Sequence, residues 1–300
     1  MKVAISGSSG LVGSALVPFL TTGGHEVVRL MRRAPREKDE VRWDPAARTI
    51  DAAALEGVDA VVNLSGENIA GRRWSEARKA LLRSSRLEPT RLLAETLAGL
   101  KKKPKVFVSV SAVGYYGNRG DVWVTEKDPP ADDFLGRLSV EWEKAAEPAA
   151  KAGIRVVHPR IGIVLSPAGG ALGKMLLPFK AGVGGVLGAG AQYMSWIAID
   201  DLLGILHHLL DRADIAGGVN AVAPEPVNNA VFTRTLGRVL GRPTIVPAPA
   251  FALRLAFGEM ADATLLASTR VRPARLEASG YRFRFPDLQG ALRHLLGRAA

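Results

Sequence analysis

The sequence predicts an α/β fold organised on a doubly wound parallel sheet, and three observations carry that expectation. At the extreme N-terminus an apolar strand, Lys2 to Ser6, runs straight into Gly7-Ser-Ser-Gly10-Leu-Val-Gly13 and a helix. A second strand, His25 to Met31, completes a strand-turn-helix-strand unit of roughly 30 residues. Apolar strands and helical stretches then alternate to residue 165, the pattern of a parallel sheet covered by helices on both faces.

The opening turn is a phosphate-binding device. Backbone without side chains lets a pyrophosphate approach the amides at a helix N-terminus, where the helix dipole also favours negative charge. Here the spacing is G-x-x-G-x-x-G rather than G-x-G-x-x-G, and a glycine triplet alone is weak evidence. The strand before it and the apolar helical run from Gly13 to Leu20 supply the required context. A bound dinucleotide is the expectation.

The end of the second strand discriminates between dinucleotides. An NAD site places an acid about 20 residues after the glycines to hold the ribose 2′-hydroxyl, whereas an NADP site carries an arginine near the 2′-phosphate. This strand ends Leu30-Met31-Arg32-Arg33 with no acid, and Glu26 lies too early to reach. The pattern favours NADP(H), with Arg32 on the phosphate.

Further elements follow in order. Val41 to Asp44 reads as a short third strand, Asp59 to Gly66 as an apolar strand closing in a polar turn, and Ser75 to Leu100 as a long helix. Lys105 to Ser111 and Ile154 to Leu165 are further buried strands, and Asp133 to Ala146 is helical. Beyond 165 the chain becomes Gly- and Pro-rich. Ser195 to Ile199 then reads as a strand, Asp200 to Leu210 as a helix with acids at its start, and Tyr281-Arg-Phe283-Arg-Phe285 as an aromatic strand of period two. The expected organisation is a Rossmann-like NADP(H)-binding domain over residues 1–165 and a smaller, mainly α+β substrate or lid region over 166–300. Ser195 to Leu210 is expected to return to the sheet. Ligands of such sheets lie at the carboxyl ends of the strands, which places Asn63 to Gly66 and Ser109 to Gly117 at the site.

Composition narrows the function classes. There is no cysteine, which excludes disulfides and thiolate metal sites, and the five histidines, His25, His158, His207, His208 and His294, show no ligand spacing. No apolar run approaches the ~18 residues needed to span a bilayer, so the expectation is a cytoplasmic protein with no membrane partner. The formal charge of +11 raises nucleic-acid binding, but the basic residues are dispersed apart from Lys101-Lys102-Lys103 and Lys105, and no nucleic-acid-binding motif accompanies them. A small-molecule substrate is the expected partner, and no nucleic acid.

Four runs carry a family resemblance: the glycine-spaced opening, Asn63 to Ile69 (NLSGENI), Ser109 to Gly117 (SVSAVGYYG) and Ser195 to Leu202 (SWIAIDDL). They resemble the extended short-chain dehydrogenase/reductase superfamily. Gly169 to Phe179 and Arg275 to Leu288 narrow the match to its atypical branch of epimerase family proteins, which carries a characteristic C-terminal segment. The resemblance implies an NADP(H)-dependent oxidoreductase or epimerase, acting on a nucleotide sugar or a small carbonyl compound. It implies that Gly7, Gly10, Leu11, Val12 and Gly13 hold the pyrophosphate and Arg32 the 2′-phosphate. Leu64, Ser65 and Gly66 would pass the adenine ribose and pyrophosphate, and Arg86 would reach toward the cofactor. Ser111 matches the serine that bonds a substrate hydroxyl or carbonyl in active relatives. Relatives of this fold often dimerise through two helices, which makes a homodimer one arrangement open to the chain.

One departure stands against these agreements. Active members pair that serine with Tyr-x-x-x-Lys, in which the ammonium lowers the phenol pKa and makes a usable base. Here the residues four beyond Tyr115, Tyr116, Tyr193 and Tyr281 are Arg119, Gly120, Ile197 and Phe285. On the expected helix Asp133 and Arg137 stand at i and i+4, a spacing typical of surface ion pairs, and Phe134, Leu138 and Trp142 form a core-facing stripe. Tyr115, Tyr116 and Glu67 are the replacement candidates near the cleft. Arg160 would hold a substrate anion or pair with a buried carboxylate, and Met175, Phe179, Gln192, Tyr193 and Trp196 are candidates for the substrate wall. The alternative to an enzyme is an NADP(H)-binding protein with little or no catalysis, serving as a sensor or binding a partner.

Overall fold

The computed structural model describes residues 1–298, so the last two positions of the expected 166–300 region lie outside the described residues. β1 (Lys2–Ser6), α1 (Leu11–Thr22) and β2 (Glu26–Met31) form the opening unit, with β1 and β2 parallel. β3 (Glu40–Asp44) extends the sheet beside β2, and β4 (Thr49–Ile50) closes that edge antiparallel to β3. The chain then crosses back. β5 (Ala60–Asn63) pairs with the other side of β1, and after the 24-residue α2 (Glu76–Gly99) β6 (Val106–Ser109) pairs with β5. β7 (Ser111–Ala112), the separate β8 (Trp123–Val124), α3 (Phe134–Lys144) and α4 (Glu147–Lys151) lead to β9 (Arg155–Ile161), which is parallel to both β6 and β7.

The second part of the chain contributes β10 (Ile163–Ser166), α5 (Gly170–Lys180), β11 (Tyr193–Met194), β12 (Trp196–Ala198), α6 (Ile199–Asp211) and β13 (Gly217–Ala221). β14 (Val227–Asn228), α7 (Asn229–Leu240), α8 (Ala250–Phe257), β15 (Arg270–Val271), α9 (Ala274–Ala278) and α10 (Leu288–Leu295) complete it. The main sheet runs β13-β9-β6-β5-β1-β2-β3-β4. Its order reverses about β1, and in open sheets of this kind the crevice at the carboxyl ends beside such a reversal is where ligands bind.

Burial explains the continuous apolar runs of the central strands. Val3, Ala4 and Ile5 are wholly buried, as are Ala60, Val61 and Val62, because both faces of the sheet are covered. Successive side chains alternate faces. Val3 and Ile5 join the core beneath α1 and α6, whereas Ala4 joins the one containing Leu93 and Leu97 of α2 and Ala149 of α4.

Two segments differ from expectation. The run Ile154 to Leu165 is two strands, broken at Gly162, so that β10 leaves the main sheet to pair with β12. Tyr281 to Phe285 is no strand: it pairs with nothing and is fastened by the buried carboxylate of Asp201, which accepts from the backbone N–H of Arg284 at 2.8 Å and of Phe285 at 2.9 Å. A period of two satisfied by packing looks the same in sequence as one satisfied by a ladder. Ser195 to Leu210 does not rejoin the main sheet as a strand: β12 pairs with β10 outside it, and α6 packs against β6, while β13, also beyond residue 165, forms the edge of the sheet beside β9.

Candidate functional site

The site begins at the turn after β1. Gly7 adopts φ +70°, a left-handed conformation costly for any residue with a Cβ. A Cβ on Gly13 would stand 2.2 Å from the Gly7 carbonyl oxygen, so the helix can start this close to the turn only with glycine there. α1 opens from Gly10 with no side-chain cap and no acid in its first turn. Side chains cap α2, α3, α7 and α10 through Ser75, Asp133, Asn228 and Asp287, whereas α4, α5, α6, α8 and α9 share the uncapped start of α1. The first amides of α1 are therefore left open to an anionic ligand.

Two further segments meet this turn. A Cβ on Gly7 would lie 2.8 Å from the Leu64 carbonyl, so the predicted Leu64-Ser65-Gly66 segment adjoins the glycines. On the other side the Ser8 hydroxyl contacts Met31 Sδ at 3.4 Å, which brings the end of β2 to the turn. The arginines there are not equivalent. Arg33 grips the buried carboxylate of Glu40 through two bonds of 2.7 and 2.6 Å, and Arg29 lies 3.3 Å from the same carboxylate. The Arg33 guanidinium, with backbone donors from Arg36 and Glu37, pushes the Glu40 pKa down to about 2. Arg32 is exposed and forms no hydrogen bond or ion pair among the described residues. It is a free cation beside the turn.

Behind the turn a buried polar network ties the strand ends together. Ser6 donates to Asn63 Oδ1 at 2.6 Å, the Asn63 amide donates to Thr90 at 2.8 Å and to Ser109 at 3.3 Å, and the Trp142 indole donates to Thr90 at 3.0 Å. Ser65 joins through Ser6 at 2.9 Å. Next to this network Arg86 is 9% exposed. Its guanidinium donates to the carbonyls of Leu82 (2.9 Å) and Glu67 (3.0 Å) and lies 5.1 Å from the Trp142 ring centroid. No carboxylate pairs with it among the described residues. Burial pushes its pKa down to about 10, which leaves it cationic at neutral pH. A buried cation without a counter-ion is costly, and an anionic ligand would relieve that cost.

Arg86 also lines a cavity of about 340 Å³ at the carboxyl ends of β7 and β9. Its walls are mostly apolar: Leu135, Leu138 and Trp142 from α3, Met175 from α5, and Ala263 and Leu265 from the segment before β15. Of the predicted wall residues, Met175 and Tyr193 line it. Phe179 and Trp196 are core residues, and the Gln192 amide bonds the carbonyls of Leu187 and Leu265. The α3 stripe predicted as core is both core and cavity wall at Leu138 and Trp142. Sequence reasoning missed Ile69, Ala70 and Ile161 to Ile163, although the last follow the rule that ligands sit at strand ends.

The predicted catalytic residues Ser111, Tyr115 and Tyr116 are not among those that line this cavity. Ser111 is 2% exposed, its hydroxyl has no hydrogen-bond partner among the described residues, and the cavity wall here is formed by Ala112, Val113 and Gly114. Tyr116 is wholly buried, donates to Asn220 at 2.7 Å and accepts from Arg160 at 3.0 Å. Burial pushes its pKa up to about 12, the wrong direction for a base. Tyr115 lies under the Arg160 guanidinium, 3.4 Å from the ring centroid. Arg160 itself is paired to Glu143 through bonds of 2.8 and 2.9 Å, the structural alternative of the two expected for it. Glu67 pairs with Arg78 at 3.1 Å. Asp133 and Arg137 do not pair: Asp133 caps α3 through the Gly136 N–H, and Arg137 bonds Asp132. α3 offers the cavity Leu135, Leu138, Ser139 and Trp142, so no phenol–ammonium pair faces it.

Comparisons with known proteins identify the family and the fold. The model of the NAD dependent epimerase/dehydratase family matches residues 3–222, and a domain of unknown function matches 248–295. An epimerase family protein of Mycobacterium bovis is 47% identical over 290 residues, 97% of this chain and 96% of that one. The crystal structure of human epimerase family protein SDR39U1 with NADPH superposes with a TM-score of 0.92 at 39% identity, covering 100% of both chains. A nucleoside-diphosphate sugar epimerase from Corynebacterium glutamicum matches with a TM-score of 0.83 and 40% identity over 99% of this chain and 58% of that one.

Proposed function

This chain belongs to the NAD dependent epimerase/dehydratase family, and from that premise we propose that it is an NADP(H)-dependent oxidoreductase or epimerase of the extended short-chain dehydrogenase/reductase type. The observation that carries the NADP(H) reading is the contrast at the end of β2, where Glu40 pairs with Arg33 and Asp39 with Arg29 while Arg32 stays free of any partner among the described residues, beside the uncapped helix start. A 2′-phosphate supplies the counter-charge that Arg32 lacks. The human relative crystallised with NADPH supports the same choice.

The residues present fit the cofactor. Gly7, Gly10, Leu11, Val12 and Gly13 offer open backbone to the pyrophosphate, Leu64, Ser65 and Gly66 form the adjoining wall, and Arg86 adds a buried cation with donors to spare. Bound there, the nicotinamide supplies a hydride donor or acceptor. The chain's own contribution is to orient that ring against the cavity and exclude water with Leu138, Trp142 and Met175. The absence of a phenol–ammonium pair on α3 favours the second reading, an NADP(H)-binding protein with little or no catalysis.

Titration of the protein with NADPH and NADH, followed by nicotinamide fluorescence, tests the proposal. NADPH should bind preferentially, and Arg32→Glu should weaken it by about 10- to 100-fold, the worth of one charge-assisted contact, with little effect on NADH. Equal binding of both cofactors, or an unchanged preference in the variant, removes Arg32 from the role. Turnover of no carbonyl compound by NADPH-loaded protein would select the second reading.

A further inference from the structure

We infer that the cavity takes a compact, uncharged, apolar carbonyl compound or the corresponding alcohol, not a nucleoside diphosphate sugar, and that the Tyr193 hydroxyl meets its single polar atom. The inference deepens the proposed function and rests on it in one respect, the assignment of Arg86 to the cofactor phosphates.

The polar side chains lining the cavity are Arg86, Ser139, Tyr193, Ser195, Asn229, Thr264 and Thr269. Each of the four aliphatic hydroxyls spends its proton on a backbone carbonyl: Ser139 on Leu135 (2.8 Å), Ser195 on Thr269, Thr264 on Met260 and Thr269 on Gly117 (2.7 Å each). The Asn229 amide is engaged at both ends, accepting from the Leu187 N–H at 2.8 Å and donating to Met194 Sδ at 3.4 Å. Tyr193 differs. Its hydroxyl forms no hydrogen bond among the described residues, while the Arg270 guanidinium, 4.5 Å from the ring centroid, holds the ring in place.

Such a wall suits one kind of substrate. A nucleoside diphosphate sugar brings two phosphates and many hydroxyls, and charges or polar groups moved from water into an apolar site without partners lose several kcal/mol each. Among the described residues the only cation lining the cavity is Arg86. An apolar body with one carbonyl oxygen asks for a single donor, and a single uncommitted phenol is present. A volume of about 340 Å³ lies near the lower end of ligand pockets, which selects a compact molecule.

Calorimetric titration with 2-octanone, octanoate and UDP-glucose, each with and without saturating NADPH, decides the matter. The ketone should bind at least about tenfold tighter than UDP-glucose, and Tyr193→Phe should weaken it about fivefold, one neutral hydrogen bond, with NADPH binding unchanged. UDP-glucose binding as tightly as the ketone, preference for octanoate, binding of none of the three, or a ketone affinity unmoved in Tyr193→Phe would overturn the inference. A wild-type protein that binds no NADPH would overturn the cofactor reading instead, because the ketone-to-UDP-glucose ratio is also measured without it.

Discussion

The two ends of the cleft are built from different materials. At the end proposed for the cofactor phosphates the donors are backbone amides, held by glycines within one short segment and supplemented by Arg32, which has no partner among the described residues. At the cavity end the surface is made of side chains from α3, α5, the strand ends and the segment before β15. A site made of backbone fails when its path is disturbed. One made of side chains changes its chemistry without changing its fold, and this explains how α3 can keep its place in the family fold while presenting Leu135, Leu138, Ser139 and Trp142 to the cavity.

Substitutions at the two ends should separate these behaviours. The largest effect is expected from Gly13→Ala, whose methyl group would meet the Gly7 carbonyl oxygen at 2.2 Å. NADPH affinity should fall by at least about 100-fold, measured by fluorescence titration alongside a thermal melt to follow folding. Retained affinity would show that the turn yields and that the comparison is overdrawn. At the cavity end Leu138→Ala should cost about 2–5 kcal/mol of stability in urea denaturation while leaving NADPH affinity within about threefold.

A pH effect should arise behind the site. His158 is 8% exposed, and its Nδ1 lies 3.1 Å from the Ser109 carbonyl. Burial lowers its pKa below the ordinary 6.5, so below pH 6.5 the unfolded chain binds the proton more readily than the folded one. The stability tied to the neutral ring is thus full above about pH 6.5 and is lost as pH falls from there toward the lowered folded value. Melting temperature should decline across that window, and His158→Gln should flatten the decline. The smallest effect belongs to Ser111→Ala. Its buried hydroxyl is unpaired, so removal should leave stability unchanged or raise it by up to about 1 kcal/mol, with NADPH affinity intact. A large loss of ketone binding in this variant would return Ser111 to the site.

Legibility followed sequence distance. Lys2 to Met31 was readable because strand, turn, helix and strand are contiguous, and the glycine pattern and the hydrophobic period agree over the same residues. The end of β2 was readable in part: the missing acid and Arg32 were visible, but nothing local showed that Glu40 would silence Arg33. Ser111, Tyr115 and Tyr116 were placed near the cleft because their run lies at a strand end. Which of them face it depended on β9, whose Arg160, held by Glu143 of α3, engages both tyrosines, and on β7, whose Ala112 lines the cavity while Ser111 is buried.

By itself the sequence determined the parallel sheet and its glycine-opened first helix, because those features rest on hydrophobic period and on conformations that only glycine adopts cheaply. Tertiary structure alone decided which hydroxyls are spent, which cations are paired and which tyrosine keeps an uncommitted phenol. Those outcomes depend on partners tens to more than a hundred residues away, as with Tyr116 and Asn220. A side chain's chemistry is set by what its neighbours leave unsatisfied, and only the folded chain assembles the neighbours.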